Sequence, residues 1–221
     1  MIELPDFNKS FEYENNFFLS CNTQRISKLI AHHQLFLKTL NLTGHIVECG
    51  VFKGASLVRW AHFREMYGGS FTKKIIGFDV FGEFPKTNFD ADKKTLDKFV
   101  HNAGSQSISL KQLEDTLTKK GLNQEIELVK GDINASVPEY VEAHPELKIS
   151  LLNLDTDIYE PAVVILEHLY PKIVSGGIIL LDDYGVFPGE TQAVDEYFEN
   201  KTDVIIKKLP YSKTPSFIIK K

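Results

Sequence analysis

Five short apolar runs in this chain each end on a carboxylate, with helix-length segments between them. His45-Ile46-Val47 meets Glu48, Ile75 to Phe78 meets Asp79, and Ile126 to Gly131 meets Asp132. Ile149 to Leu154 meets Asp155, and Ile178 to Leu181 meets the pair Asp182-Asp183. Runs this short and this apolar suit strands buried on both faces, the pattern of a parallel sheet covered by helices. The prediction is an α/β fold with a mostly parallel sheet and helices on both sides. Ligands in such sheets sit at the carboxyl ends of the strands. Six acids would then converge on one edge, where mutual repulsion is costly without a cation or a polar ligand.

The 221 residues, 43% hydrophobic and 25% charged, suit one domain over 1–221 with a sizeable core. Net charge is −5 and no Lys/Arg-rich block dominates, so no nucleic-acid partner is expected. The lysines near the end, Lys207-Lys208, Lys213 and Lys220-Lys221, read as a solvated strand edge. Cys21 and Cys49 are too few for a disulfide framework. Met1 to Ser10 is polar and holds Pro5, so no signal peptide is expected, and no apolar run has membrane-spanning length. The expectation is a reduced, cytoplasmic protein without a membrane partner; a homo-oligomer stays open.

Residues 1–43 form an N-terminal arm and helix. The arm carries Phe7, Phe11, Tyr13, Phe17 and Phe18 and is read as irregular or as a short helix that packs on the body or covers a site. Thr23 is the expected N-cap of a helix through Leu40, with Ile26, Leu29, Ile30, His33, Leu37 and Leu40 at helical spacing and Gly44 as a stop. His32 and His33 are read as structural, His33 on the apolar stripe. A helix over about Ala55 to Tyr67 should end at Gly68-Gly69. Gly82 to Gly121 is a polar insertion with helices over Ala91 to Asn102 and Leu110 to Lys120; it is either a lid or a passive flap. Ser136 should open a short helix with Pro138 at an early position. Further helices are expected over about Pro161 to Leu169 and Glu190 to Glu199. Val204-Ile205-Ile206 and Ser216 to Ile219 should pair as an antiparallel hairpin that closes the sheet.

The turn Glu48-Cys-Gly50-Val-Phe-Lys-Gly54-Ala-Ser56 joins a strand to a helix. Gly50 permits a tight turn, Gly54 lets the helix pack near the strand, and the helix start offers free N–H donors to an anionic group such as a carboxylate. Phe52 fills the second glycine position of the dinucleotide fingerprint, which disfavours a pyrophosphate. Glu48, just ahead of the turn, suits a cation such as the α-ammonium of an amino-acid moiety. Asp155, Asp182 and Asp183 end strands expected to be neighbours, with no His or Cys expected nearby. Three close carboxylates need a divalent ion, and hard oxygen ligands point to Mg²⁺, Mn²⁺ or Ca²⁺.

Glu48-x-Gly50-x-x-x-Gly54-x-Ser56 resembles the first motif of class I S-adenosylmethionine-dependent methyltransferases, particularly that of catechol O-methyltransferase. The resemblance implies a Rossmann-like sheet and S-adenosylmethionine as cofactor. It also implies that Asp79 takes the ribose hydroxyls, Asp132 the adenine amino group, and Ile133 a face of the ring. Catechol-type enzymes place an Asp after the fourth strand and an acid pair after the fifth, as Asp155, Asp182 and Asp183 stand here. They also place a Lys base three residues after the first Asp, and here Ile158 occupies that position.

Longer segments are similar to the macrocin O-methyltransferase family. They are Val47 to Gly54, Asp79 to Pro85, Leu154-Asp-Thr-Asp-Ile-Tyr-Glu160, Leu169 to Lys172 with Gly176-Gly177, Asp182-Asp-Tyr-Gly185 and Ala193 to Glu196. The likeness runs from about Thr23 to Phe198 and implies methylation of a sugar hydroxyl beside a second oxygen on a small-molecule acceptor, the deoxysugar of a natural product or a nucleotide-linked or polysaccharide sugar. With no Lys base in place, Asp155 is the first choice to take the hydroxyl proton and Asp157 the second. Tyr159 and Tyr184 either shape the acceptor pocket or simply pack. A catechol or other vicinal diol is the alternative acceptor. An NAD-dependent oxidoreductase would lack its glycine fingerprint, and a phospho-acceptor receiver would carry its acid pair on the first strand.

Overall fold

The computed structural model describes residues 2–68 and 73–221. Gly69, half of the predicted helix stop, lies outside the described residues. Among the described residues seven strands form one sheet: β1 (His45–Cys49), β2 (Ile75–Asp79), β3 (Ile126–Lys130), β4 (Ile149–Leu154), β5 (Ile173–Leu181), β6 (Lys207–Lys208) and β7 (Ser216–Ile219). Their spatial order is β3-β2-β1-β4-β5-β7-β6. The first five run parallel, and β7 lies antiparallel between β5 and β6. The order reverses between β1 and β4, and a crevice opens at such a switch point above the strand ends.

Among the described residues eight α-helices accompany the sheet: α1 (Ser10–Ser20), α2 (Thr23–Lys38), α3 (Ala55–Met66), α4 (Asp90–Ala103), α5 (Leu110–Lys119), α6 (Ile133–Ala143), α7 (Tyr159–His168) and α8 (Pro188–Phe198). Successive strand residues face opposite sides. Ile46, Ile75, Leu151 and Ile178 pack with Leu35, Leu57, Trp60 and Leu113 of α2, α3 and α5. Val47, Ile76, Leu152 and Ile179 pack with Val137, Ile165 and Val194 of α6, α7 and α8. Both faces are thus covered, as the unbroken apolar runs require.

Gly77 on β2 lets α3 sit close to the sheet, because a Cβ there would fall 2.5 Å from Leu57 Cδ1. Gly77→Ala should cost about 1–3 kcal/mol through overpacking. Urea denaturation checks this, and an unchanged midpoint would mean that Leu57 yields freely.

Several boundaries differ from the sequence expectation. Asn22, not Thr23, caps α2, its side chain accepting from Arg25 N–H. The buried face of α2 is Ser27, Ala31, His32, Leu35 and Phe36, while Ile30 and Leu37 are exposed. Apolar residues lie nearly all round this helix, so their spacing alone did not select the face. Helix α6 starts at Ile133, capped by Asp132, so Pro138 lies inside it rather than near its start. Val204 to Ile206 form no strand; the pairing falls on Lys207 and Lys208, opposite Phe217 and Ser216. Those two lysines are the exposed outer edge that their charge suggests.

The stretch from Gly82 to Gly121 divides in two. Helix α5 buries Leu113 and Leu117 in the core and is the ordinary crossover between β2 and β3, opened by a Ser109/Gln112 capping box. The extra material is the segment holding α4. The arm forms α1, which buries none of its own residues. Among the described residues no helix is long and apolar enough to cross a membrane.

Candidate active site

A cavity of about 1000 Å³ opens above the strand ends. Its wall holds Gly50 to Lys53, Ser56, Asp79, Asp132 and Ile133 together with Asp155, Asp157, Asp182 and Asp183. Phe17, Ser20 and Cys21 also line it, so the arm reaches the site. Tyr159 and Tyr184 are not in the wall; their hydroxyls donate to Glu196 at 2.6 Å and Asp195 at 2.8 Å, the packing role.

The turn after β1 is built around Asp79. Val51 and Phe52 N–H both donate to its Oδ2 at 2.9 Å, and Phe81 N–H donates to Oδ1 at 2.6 Å. Phe52 and Phe81 hold left-handed backbone, with φ of 47° and 48°. Such residues persist only where their surroundings fix them, and the Asp79 carboxylate does so here. Most of its acceptor capacity is therefore spent on the protein. Gly50, at φ 91°, is required because a Cβ would collide with the Asp155 carbonyl. Gly54, at φ 82°, begins α3 and faces Leu113 of α5 rather than a strand. The Asp132 carboxylate is exposed and caps α6, accepting from Asn134 N–H at 2.9 Å.

Glu48 lies inside β1 on the α3 side and is fully buried. It is absent from the cavity wall; Ser56, whose hydroxyl donates to Oε1, and Arg59 stand there instead. Burial pushes the Glu48 carboxyl up to about 8. Its Oε2, and both amide atoms of Asn153 beside it on β4, are buried without a hydrogen-bond partner. Orphaned polar atoms of this kind fit a polar group such as an ammonium.

Asp155, Asp182 and Asp183 bring one carboxylate oxygen each to within 4.8 Å of one another. Asp183 Oδ2 has no hydrogen-bond partner, and Asp182 Oδ1 has only the long approach of a histidine at 3.4 Å. An all-carboxylate set with unspent oxygens fits a hard divalent cation. Burial, and then the neighbouring Asp182 charge, raise Asp155 well above the usual carboxylate range. Asp157, at φ 64°, is raised by burial and by Asp155, and its side chain hydrogen-bonds Asp183.

The sequence did not point to the groups that surround this cluster. Lys28 and His32, four apart on α2, both face Asp182. The Lys28 ammonium pairs with Oδ2, and His32 Nε2 lies 3.4 Å from Oδ1. Arg59 has only donors, so at 2.9 Å from His32 Nδ1 it leaves the ring proton on Nε2, toward Asp182. His32 was expected to be merely structural, and instead it is the buried histidine at the site. His33 meets the Tyr67 hydroxyl at 2.9 Å. Glu190, fully buried on α8, accepts from Asp183 N–H at 2.9 Å.

A family model described as macrocin-O-methyltransferase (TylF) matches residues 22–208. The 8-demethyl-8-(2,3-dimethoxy-alpha-L-rhamnosyl)-tetracenomycin-C 4'-O-methyltransferase of Streptomyces olivaceus is 24% identical over 145 residues, 65% of this chain and 54% of that protein. The mycinamicin III 3''-O-methyltransferase of Micromonospora griseorubida is 24% identical over 185 residues, 76% of this chain and 70% of its own length. The match thus spans about half of the first relative. The crystal structure of CalS11, a calicheamicin methyltransferase, superposes with a TM-score of 0.75 at 26% identity, covering 95% of this chain and 85% of that one. The O-methyltransferase NovP shares the fold, with a TM-score of 0.72 at 22% identity over 88% of this chain and 80% of that one. The chain belongs to the macrocin O-methyltransferase family.

Proposed function

We propose that this protein is an S-adenosylmethionine-dependent O-methyltransferase. Its acceptor would be a sugar hydroxyl beside a second oxygen, on a natural product or a nucleotide-linked sugar. A divalent ion would be held by Asp155, Asp182 and Asp183. The observation that carries this is one cavity whose wall holds both the glycine turn with Asp79 and Ile133 and the acids that follow β4 and β5. Support for the sugar comes from the names of the relatives, which are O-methyltransferases at 4' and 3'' positions, and from CalS11, described as a TDP-rhamnose 3'-O-methyltransferase.

S-adenosylmethionine supplies a sulfonium-activated methyl group. Its amino-acid end would lie over the start of α3, with the ammonium toward the side of the cavity where Ser56 covers Glu48. Ile133 would pack on the adenine, with Asp79 and Asp132 facing the nucleoside. The divalent ion, Mg²⁺ or Mn²⁺, supplies charge that makes a bound hydroxyl more acidic. A carboxylate already committed to a cation is a weakened base, which moves the proton-accepting role from Asp155 to Asp157. Asp157 stands beside the trio, is fixed in a left-handed conformation and is kept basic by burial. It would take the hydroxyl proton as the new C–O bond forms and the sulfonium–methyl bond breaks, the electron pair staying on sulfur as the thioether.

Calorimetric titration with S-adenosylmethionine should give micromolar dissociation, roughly −8 kcal/mol, with no heat from NAD⁺. Binding of NAD⁺ alone would replace this proposal with the oxidoreductase alternative. Radiolabelled methyl transfer to a panel of nucleotide sugars, glycosylated natural products and catechols then identifies the acceptor. Transfer confined to catechols would remove the sugar.

A further inference from the structure

Helices α7 and α8 begin directly after the two acid-bearing loops, and neither supplies its own cap. Their N-cap residues are Ile158 and Phe187, and neither side chain makes a capping hydrogen bond. One distant side chain serves both. Asp92, on α4 and fully buried, accepts from Tyr159 N–H through Oδ2 at 3.0 Å and from Gly189 N–H through Oδ1 at 2.7 Å. Tyr159 is the first residue of α7 and Gly189 the second of α8. Two positive helix ends thus converge on one buried carboxylate, which satisfies its charge and two otherwise orphaned donors.

Gly189 is part of the same device. A Cβ there would overlap Asp92 Oδ2 and lie 2.6 Å from both Asp92 Cγ and Tyr159 N. Neighbouring contacts press the segment onto α7: Glu160 accepts from Asn88 N–H at 2.7 Å and from the Thr87 hydroxyl at 2.9 Å. The Phe89 ring also stacks on Tyr159 with centroids 4.8 Å apart.

Each acid-bearing loop is therefore fixed at one end by its strand, β4 or β5, and at the other by Asp92. We propose that Asp92 is a positioning residue, a shared N-cap that holds the two loops in register. Asp155 and Asp157 on one loop thereby meet Asp182 and Asp183 on the other. The segment carrying Asp92 is then a clamp on the site. The structural role stands on the geometry alone, while its effect on metal binding and turnover rests on the function proposed above.

The test uses Asp92→Ala, Asp92→Asn and Gly189→Ala, the last of which keeps the carboxylate but pushes it off the helix ends. Mn²⁺ alone is titrated by electron paramagnetic resonance, S-adenosylmethionine by calorimetry, and amide exchange is followed at residues 155–159 and 182–189. Asp92→Ala and Gly189→Ala should weaken Mn²⁺ binding and lower kcat by about 10- to 100-fold, as the loss of a ligand-orienting group does. S-adenosylmethionine affinity should fall much less than Mn²⁺ affinity, because Asp79 and the turn it holds are not reached by Asp92. Asp92→Asn keeps one acceptor but turns a donor toward an N–H, and should fall between. Exchange should quicken in both loops in every variant. Folded variants with wild-type Mn²⁺ affinity, kcat and exchange overturn the proposal. If the wild-type protein itself fails to bind Mn²⁺, the metal assignment is lost. Exchange then decides the capping role: quickening confined to the two loops supports it, and no change overturns it.

Discussion

EDTA should abolish methyl transfer by this protein while leaving S-adenosylmethionine binding nearly intact, and Mg²⁺ or Mn²⁺ should restore turnover. The separation follows from the geometry. The glycine turn is organised by Asp79 and the backbone it holds, whereas the trio is organised by β4, β5 and the groups around Asp182. Asp182→Asn and Asp183→Asn should weaken the metal, so excess Mg²⁺ should recover part of their loss. Asp157→Asn should behave otherwise. It removes the proton acceptor and no proposed ligand, so kcat should drop about 10²- to 10⁴-fold, with Mn²⁺ affinity kept and no rescue by excess metal. Rescue of Asp157→Asn would return the proton to Asp155. Undiminished turnover in EDTA would remove the ion from the reaction altogether.

The sheet was readable because parallel strands advertise themselves. Ile75 to Phe78 and Ile149 to Leu154 are mostly apolar without alternation, broken in the second only by Ser150 and Asn153, since both faces are covered, and every strand-end acid from Asp79 onward lies at the edge it was assigned to. What failed to show was contact between distant segments. Nothing beside Lys28 or His32 in sequence announces that α2 docks over the end of β5, so His32 reads as structural and Lys28 attracts no notice. Asp92 reads as one more acid in a polar helix, because the helix ends it caps lie far along the chain. Val204 to Ile206 misled for another reason. Val204 and Ile206 pack against the core while Ile205 is exposed, and the strand register is set by β7 opposite Lys207 and Lys208.

Glu48→Gln should stabilise the ligand-free protein at alkaline pH while weakening its hold on S-adenosylmethionine. In the folded chain burial raises the carboxyl from 4.5 to about 8. Below the unfolded value both states carry the proton, and stability is unaffected. Between the two values the unfolded chain releases a proton that the folded chain retains, so stability falls as pH rises and levels off once the folded group ionises. The full penalty is on the order of 5 kcal/mol. The glutamine variant escapes it, so its urea midpoint at pH 8.5 should exceed that of the wild type and lose most of this pH dependence. A ligand ammonium reverses the balance, since it favours the ionised carboxylate and draws the proton off. At pH 7, calorimetry in buffers of different ionisation enthalpy should therefore show close to one proton released per S-adenosylmethionine bound. The variant should release none and bind about 1–3 kcal/mol more weakly. Equal affinity and no proton release in the wild type would leave Glu48 as a buried partner of Ser56 and move the ammonium site to another residue.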